Sequence, residues 1–192
     1  LTAVVDYCQR QLFDELRYIV HVRDHAIVDV YTAELPETRQ RERFLCAECA
    51  ADMFRFGNFV PVEQFVIALQ AQFVQDDWTA KILALVGNIA VEGKQTVDDD
   101  GVTQRVTTKV GIVKTEDREV PNPVVLRPYR TFPEIEQPES RFVFRLDING
   151  PSCALYEADG GAWKNAAIAG IAAFFQEHLE QQVESGQITV LA

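Results

Sequence analysis

The sequence predicts an α+β fold, a mainly antiparallel sheet with hairpins, packed by helices that include a long C-terminal one. Three observations carry that reading. Residues 141–148 alternate Phe142, Phe144, Leu146 and Ile148 with Val143, Arg145 and Asp147, the period-two signature of a strand. Residues 163–183 place Ile168, Ile171, Ala172, Phe175, Leu179 and Val183 on one helical face, and Gly186 is positioned to end that helix. Hairpin turn signals recur at 23–25, at 98–101 and at Asn149-Gly150. With 192 residues, 47% hydrophobic and 24% charged, the chain is expected to form a single domain over 1–192 with a sizeable core.

The elements follow in order. Val5, Cys8, Leu12 and Leu16 recur at helical spacing across 1–16. Residues 18–33 turn β-branched and aromatic around Arg23-Asp24-His25, which reads as two strands joined by a turn. A charged connector over 36–43 leads to a shorter third strand at 43–51. Pro61 suits the first turn of a helix, where its missing N–H has no intrahelical partner. Val62, Phe65, Val66, Leu69 and Phe73 continue that helix, and Trp78, Ile82, Leu85, Val86 and Ile89 mark a second. Alternation returns at Val91, Gln95 and Val97, turns at Asp98-Asp99-Asp100-Gly101 and resumes over 102–113 as a long hairpin. Residues 116–138 hold five of the eight prolines. Each denies a ladder hydrogen bond, so an exposed, extended arm or a sheet edge is expected, with at most a short strand at 124–126. Residues 152–157 return as the partner of 141–148, and Gly160-Gly161 turn the chain into the last helix.

Charge and composition exclude several classes. The net charge of −11 repels phosphate backbones and makes nucleic acid a disfavoured partner. The longest apolar run, 166–175, falls well short of the ~20 residues of a bilayer span, so no membrane association is expected. Charged residues at 6, 10, 14, 15 and 17 interrupt any signal-peptide core. Four cysteines are too few for a disulfide scaffold, which points to a reducing cytoplasm. The chain opens on Leu1 rather than Met, so a further N-terminal segment is expected to be missing from it.

Motifs for catalysis are sparse. Cys46-Ala47-Glu48-Cys49 has redox or half-zinc spacing, but no second CxxC or HxxxH completes a zinc set, and a strand would point the two thiols to opposite faces. His21, His25 and His178 have no serine elbow to serve, since the three serines are Ser140, Ser152 and Ser185. The Asp98–Asp100 run lacks EF-hand spacing, and Gly160-Gly161 lacks a phosphate-loop frame. No catalytic residue, metal or cofactor is therefore expected. The one local basic feature is Arg127, Tyr129 and Arg130, followed by Arg141 and Arg145. It could hold a phosphate or stack a base. Pairing of Arg127 and Arg130 with Glu134, Glu136 and Glu139 is the competing structural explanation, and the weightier one.

Residues 122–134 (Asn-Pro-Val-Val-Leu-Arg-Pro-Tyr-Arg-Thr-Phe-Pro-Glu), 137–145 (Gln-Pro-Glu-Ser-Arg-Phe-Val-Phe-Arg) and 154–161 (Ala-Leu-Tyr-Glu-Ala-Asp-Gly-Gly) resemble the YfdQ-like proteins of phages and prophages. The opening Val5-Asp6-Tyr7-Cys8 with the hairpin over 18–31, and the helix that contains Phe65, fit that family's layout. The likeness spans nearly the whole chain, with its distinctive part at 121–161, and members of the family carry an additional N-terminal segment. It implies a phage-encoded accessory protein of the host cytoplasm and brings no catalytic residues. The expected function is non-enzymatic protein–protein binding, with host defence or replication factors as targets. A homo-oligomer is also expected, because the hairpin and the arm leave strand edges that require cover. The alternative is a nucleic-acid or nucleotide binder that uses Arg127, Tyr129 and Arg130.

Overall fold

The computed structural model describes residues 1–13, 15–91, 95–99, 104–110, 114–119, 122–147 and 151–192, with only the backbone over 88–119. The chain runs α1 (Thr2–Arg10), β1 (Tyr18–Asp24), β2 (Ile27–Thr32), β3 (Arg43–Glu48), β4 (Val60–Pro61), α2 (Val62–Gln72), α3 (Asp77–Val91) and β5 (Gln95–Asp99). It continues through β6 (Gln104–Val110), β7 (Lys114–Glu119), β8 (Val124–Leu126), β9 (Ser140–Asp147), β10 (Ser152–Glu157), α4 (Trp163–His178), α5 (Glu180–Glu184) and β11 (Ile188–Leu191). The class is α+β, and among the described residues the strand pairing is antiparallel except for the parallel pair β1–β11. Among the described residues no helix is long and apolar enough to cross a membrane. Contacts divide the chain into two compact units, each assembled from separated segments.

The first unit comprises residues 1–51, 130–138 and 163–192. Its sheet has the order β11-β1-β2-β3. Tyr18, Val20, Val22, Val28, Val30 and Ile188 line one face, where they bury against Val4, Val5 and Cys8 of α1 and Ile171 and Phe175 of α4. The alternation of β1 thus resolves into an inner row at 18, 20 and 22 and an outer row at 19, 21 and 23. The first hairpin turns two residues later than its composition suggests, at His25-Ala26, because Asp24 accepts the Ala26 N–H at 2.7 Å and stays in the strand. Helix α1 stops at Arg10 rather than near Leu16, since the Phe13 N–H is taken by the Tyr18 hydroxyl at 2.9 Å.

The C-terminal helix buries Ile171, Phe175 and Leu179 as its spacing predicts, but it is interrupted at Leu179 (φ −117°, ψ 25°) before α5. Gly186 ends it at φ +73°, a conformation that favours glycine. Gly170, inside α4, leaves room for Ile135, whose Cδ1 lies 3.3 Å from where a Cβ would stand.

The second unit comprises residues 52–129 and 139–162. Its sheet has the order β4-β10-β9-β8, and α2 and α3 pack on it around Phe54, Phe65, Phe73, Phe142 and Phe144. Phe54 meets Phe65 and Phe73 edge-on at 5.9 and 5.5 Å, and Phe65 lies 5.6 Å from Phe144. A separate antiparallel ladder joins β5, β6 and β7. Strand β7 falls where an arm was expected; its sequence, Lys-Thr-Glu-Asp-Arg-Glu, has no apolar alternation, and charge of that kind suits an edge strand. The turn residues Asp100-Gly101 and Asn149-Gly150 lie outside the described residues.

The remainder of the proline-rich arm packs on its own chain instead of standing exposed. Strand β8 pairs with β9 at the sheet edge, where Pro123 and Pro128 flank it without breaking a central ladder. Residues 130–138 are organised by the buried Gln137 side chain. Its Oε1 accepts the Arg130 and Thr131 N–H groups at 3.1 and 3.3 Å, and its Nε2 donates to the Phe132 carbonyl at 3.0 Å. Val124, Leu126 and Phe132 of this segment are buried within the chain.

Helix α3 starts at a capped end. Asp76 Oδ1 accepts the Thr79 N–H at 2.9 Å, and its Oδ2 receives Arg127 Nε at 3.4 Å. Partial burial pushes the Asp76 carboxyl upward, but the Thr79 hydrogen bonds and Arg127 outweigh it and hold the pKa below the ordinary value. A lowered folded pKa stabilises the protein above the unfolded value and is lost as pH falls through the folded one. Asp76→Ala is expected to cost about 1 kcal/mol in urea denaturation at pH 7. The difference from wild type should begin to shrink below about pH 4, the unfolded value, and go on shrinking as pH falls through the lower folded one. Phe65→Ala should cost about 3–5 kcal/mol, read in the same assay.

Candidate functional site

The outer face of the four-stranded sheet carries an organised polar cluster. His21 of β1, Asp29 of β2 and Cys46 of β3 are mutual register partners, so they form one row across three strands. None of the three belongs to the buried apolar cluster on the other face. Asp29 is nevertheless only 6% exposed. Its Oδ1 lies 2.6 Å from Arg43 Nη2 and its Oδ2 lies 3.3 Å from Arg23 Nη1, while the two arginine side chains remain 52% and 44% exposed.

Two β-bulges produce this convergence. The register steps from Val22↔Val28 to Asp24↔Ile27, which leaves Arg23 as the extra residue on β1. It steps again from Val30↔Leu45 to Tyr31↔Arg43, which leaves Phe44 extra on β3. Without that second bulge Arg43, at odd separation from Cys46, would point to the core face. Bulges re-aim side chains in this way. Beside the cluster, Arg41 lies 5.6 Å over the Tyr31 ring, and His21 meets Tyr31 edge-on at 6.1 Å.

Asp29 stands between the histidine and the thiol, and strands about 4.8 Å apart place His21 and Cys46 about 10 Å from each other, too far for a Cys–His dyad. Partial burial, followed by the hydrogen bond to Asp29, raises the Cys46 pKa against the opposing effect of Arg43, so the thiol is held protonated. A buried ion pair contributes little net stability, because desolvation offsets the Coulombic gain. What the cluster provides is two arginines held at fixed positions with half of each side chain in water.

The residues singled out from the sequence are dispersed. Arg127 and Tyr129 belong to the second unit and Arg130 to the first. Arg127 is engaged by Asp76; Tyr129 is 41% exposed, with its N–H donated to the Gln72 carbonyl at 2.8 Å. Arg130 is buried, its guanidinium stacked 3.7 Å from the centre of the Trp163 ring. Cys46 faces outward on β3, whereas Cys49 lies past the strand end and packs partly on the core; neither is in a disulfide. His25 lies edge-on to Trp163 at 4.6 Å, and His178 stacks on Phe174 at 4.1 Å. Among the described residues no group of three or more His, Cys, Asp or Glu side chains is placed to hold a metal ion. The Asp29 cluster went unread, although a lone carboxylate inside Ile27-Val28-Asp29-Val30-Tyr31 was a signal for it. No protein-family model, curated protein or solved structure matches the chain.

Two outcomes check this geometry. Arg43→Ala should destabilise by about 1–3 kcal/mol by stripping a buried carboxylate of a partner, and adding Asp29→Asn should recover most of that loss. Burial pushes Cys8 to about 11 and Cys153 to about 12, so iodoacetamide at pH 8 should leave both unmodified in the folded protein, read by peptide mass spectrometry.

Proposed function

We propose that this protein is a non-enzymatic binding module that engages another protein through the outer face of β11-β1-β2-β3. The observation that carries the reading is Asp29, a buried carboxylate whose two arginine partners are half in water on the sheet face opposite the one that α1 and α4 pack against. Arginine and tyrosine are the residue types that dominate binding energy at protein interfaces, and Arg23, Arg41, Arg43 and Tyr31 bring them together here. The resemblance of residues 121–161 to YfdQ-like phage proteins supports an accessory role of this kind in an infected cell. The partner is then a host protein, a phage protein or a second copy of the chain.

Immobilised wild-type chain and an Arg43→Glu/Asp29→Asn variant, matched for folding by circular dichroism, test the reading. A protein retained from cell lysate by wild type and lost by the variant is the expected result. Identical retained sets would overturn it.

A further inference from the structure

The partner's chemistry can be read from the charge on this face. Across the chain acidic groups outnumber basic ones by eleven, whereas here three arginines, Arg23, Arg41 and Arg43, stand against three carboxylates, Asp29, Glu48 and Asp24, the last two in one row with Ile27. Asp29 is buried between two of the arginines and Asp24 Oδ1 is taken up by the Ala26 N–H, so the groups that the cluster turns to water are chiefly guanidinium groups. Each guanidinium carries five N–H donors in a planar fork that matches a carboxylate. Asp29 engages one terminal nitrogen of Arg23 and one of Arg43, and about half of each side chain remains exposed.

The arginines are also held in place before any partner arrives. Arg23 and Arg43 are tied to the same buried carboxylate, and Arg41 rests on the Tyr31 ring, which His21 supports at its edge. Holding a rotamer-rich side chain in position beforehand removes about 0.5–1.5 kcal/mol of ordering cost per side chain on binding.

We infer that the face takes an acidic protein segment, a stretch rich in Asp and Glu whose carboxylates sit on Arg23, Arg41 and Arg43. The inference rests on the protein-binding reading given above. Nucleic acid is the disfavoured occupant, since a long phosphate backbone would meet the field of a chain at −11 as well as Glu48 on the same face. A short acidic segment needs only the local patch, within a screening length of about 8–10 Å at physiological salt.

Fluorescence anisotropy with the whole chain tests this, using a labelled hexaglutamate peptide, a hexalysine peptide and a six-nucleotide oligothymidylate, each at low and at physiological salt. Hexaglutamate should bind and weaken with salt, and the other two should not bind. Replacing Arg43 alone strands Asp29, so two other variants are used: Arg41→Gln, and the triple Arg23→Gln/Asp29→Asn/Arg43→Gln, which removes the cluster's charges together. Each should weaken hexaglutamate binding about tenfold. Arg141→Gln, in the second unit, should leave it unchanged. Absence of hexaglutamate binding, binding that ignores both variants, or equal binding of the oligothymidylate would overturn the inference. A cellular partner that Arg43→Glu/Asp29→Asn loses, with no hexaglutamate binding, would leave the broader reading standing and sink this one. If the partner is not lost either, both fall.

Discussion

A carboxylate removed from water must be matched in charge by its surroundings, and Asp29 imposes that demand in the middle of a sheet. The demand is met from both neighbouring strands, by Arg23 and by Arg43. Each stands at or beside a register shift, so the departures from regular pairing in this sheet both converge on one side chain. The outer surface of the sheet is ordered around that point: Cys46 is held as a thiol beside it, and Tyr31 and His21 border it. This polar order exists because the opposite face carries the apolar load, where Val20, Val22, Val28 and Val30 bury against α1 and α4.

Single polar side chains play the same organising part elsewhere. Gln137 supplies both an acceptor and a donor to the loop over 130–138, a segment whose prolines prevent it from joining a ladder. Asp76 starts α3 and holds Arg127, which otherwise reads as a basic recognition residue. In both cases a group that might be taken for surface chemistry is satisfied within its own unit. The Asp29 cluster differs in that its arginines stay half in water after the carboxylate is matched, and this difference makes it the better candidate for recognition.

Much of the fold is legible in the residues. The alternation over 18–33 and 141–147, the spacing of Ile171, Phe175 and Leu179, and the turn into β2 all appear in the structure within a few residues of where periodicity puts them. The failures have specific causes. Strand β7 has no apolar face to announce it, and the four residues of β11 are too few to show a period. The break at Leu179 leaves the helical spacing of apolar residues on either side intact, so the pattern reads through it. Of the site, Arg23 was legible only as part of a turn, because Asp24 and Ala26 set the turn later than composition implies.

The sequence alone determined the fold class, the core-facing positions of most elements and the acidity of the chain, because burial of a strand or helix face is a local, periodic property. Tertiary structure decided which strands lie side by side, including the pairing of β11 with β1 from opposite ends of the chain, and where the register shifts fall. Those choices depend on how whole faces pack, and a bulge at Phe44 has no signature in its neighbours. The arginine-bearing face exists only at that level, since Arg23 and Arg43 meet over Asp29 through pairing geometry that no single strand contains.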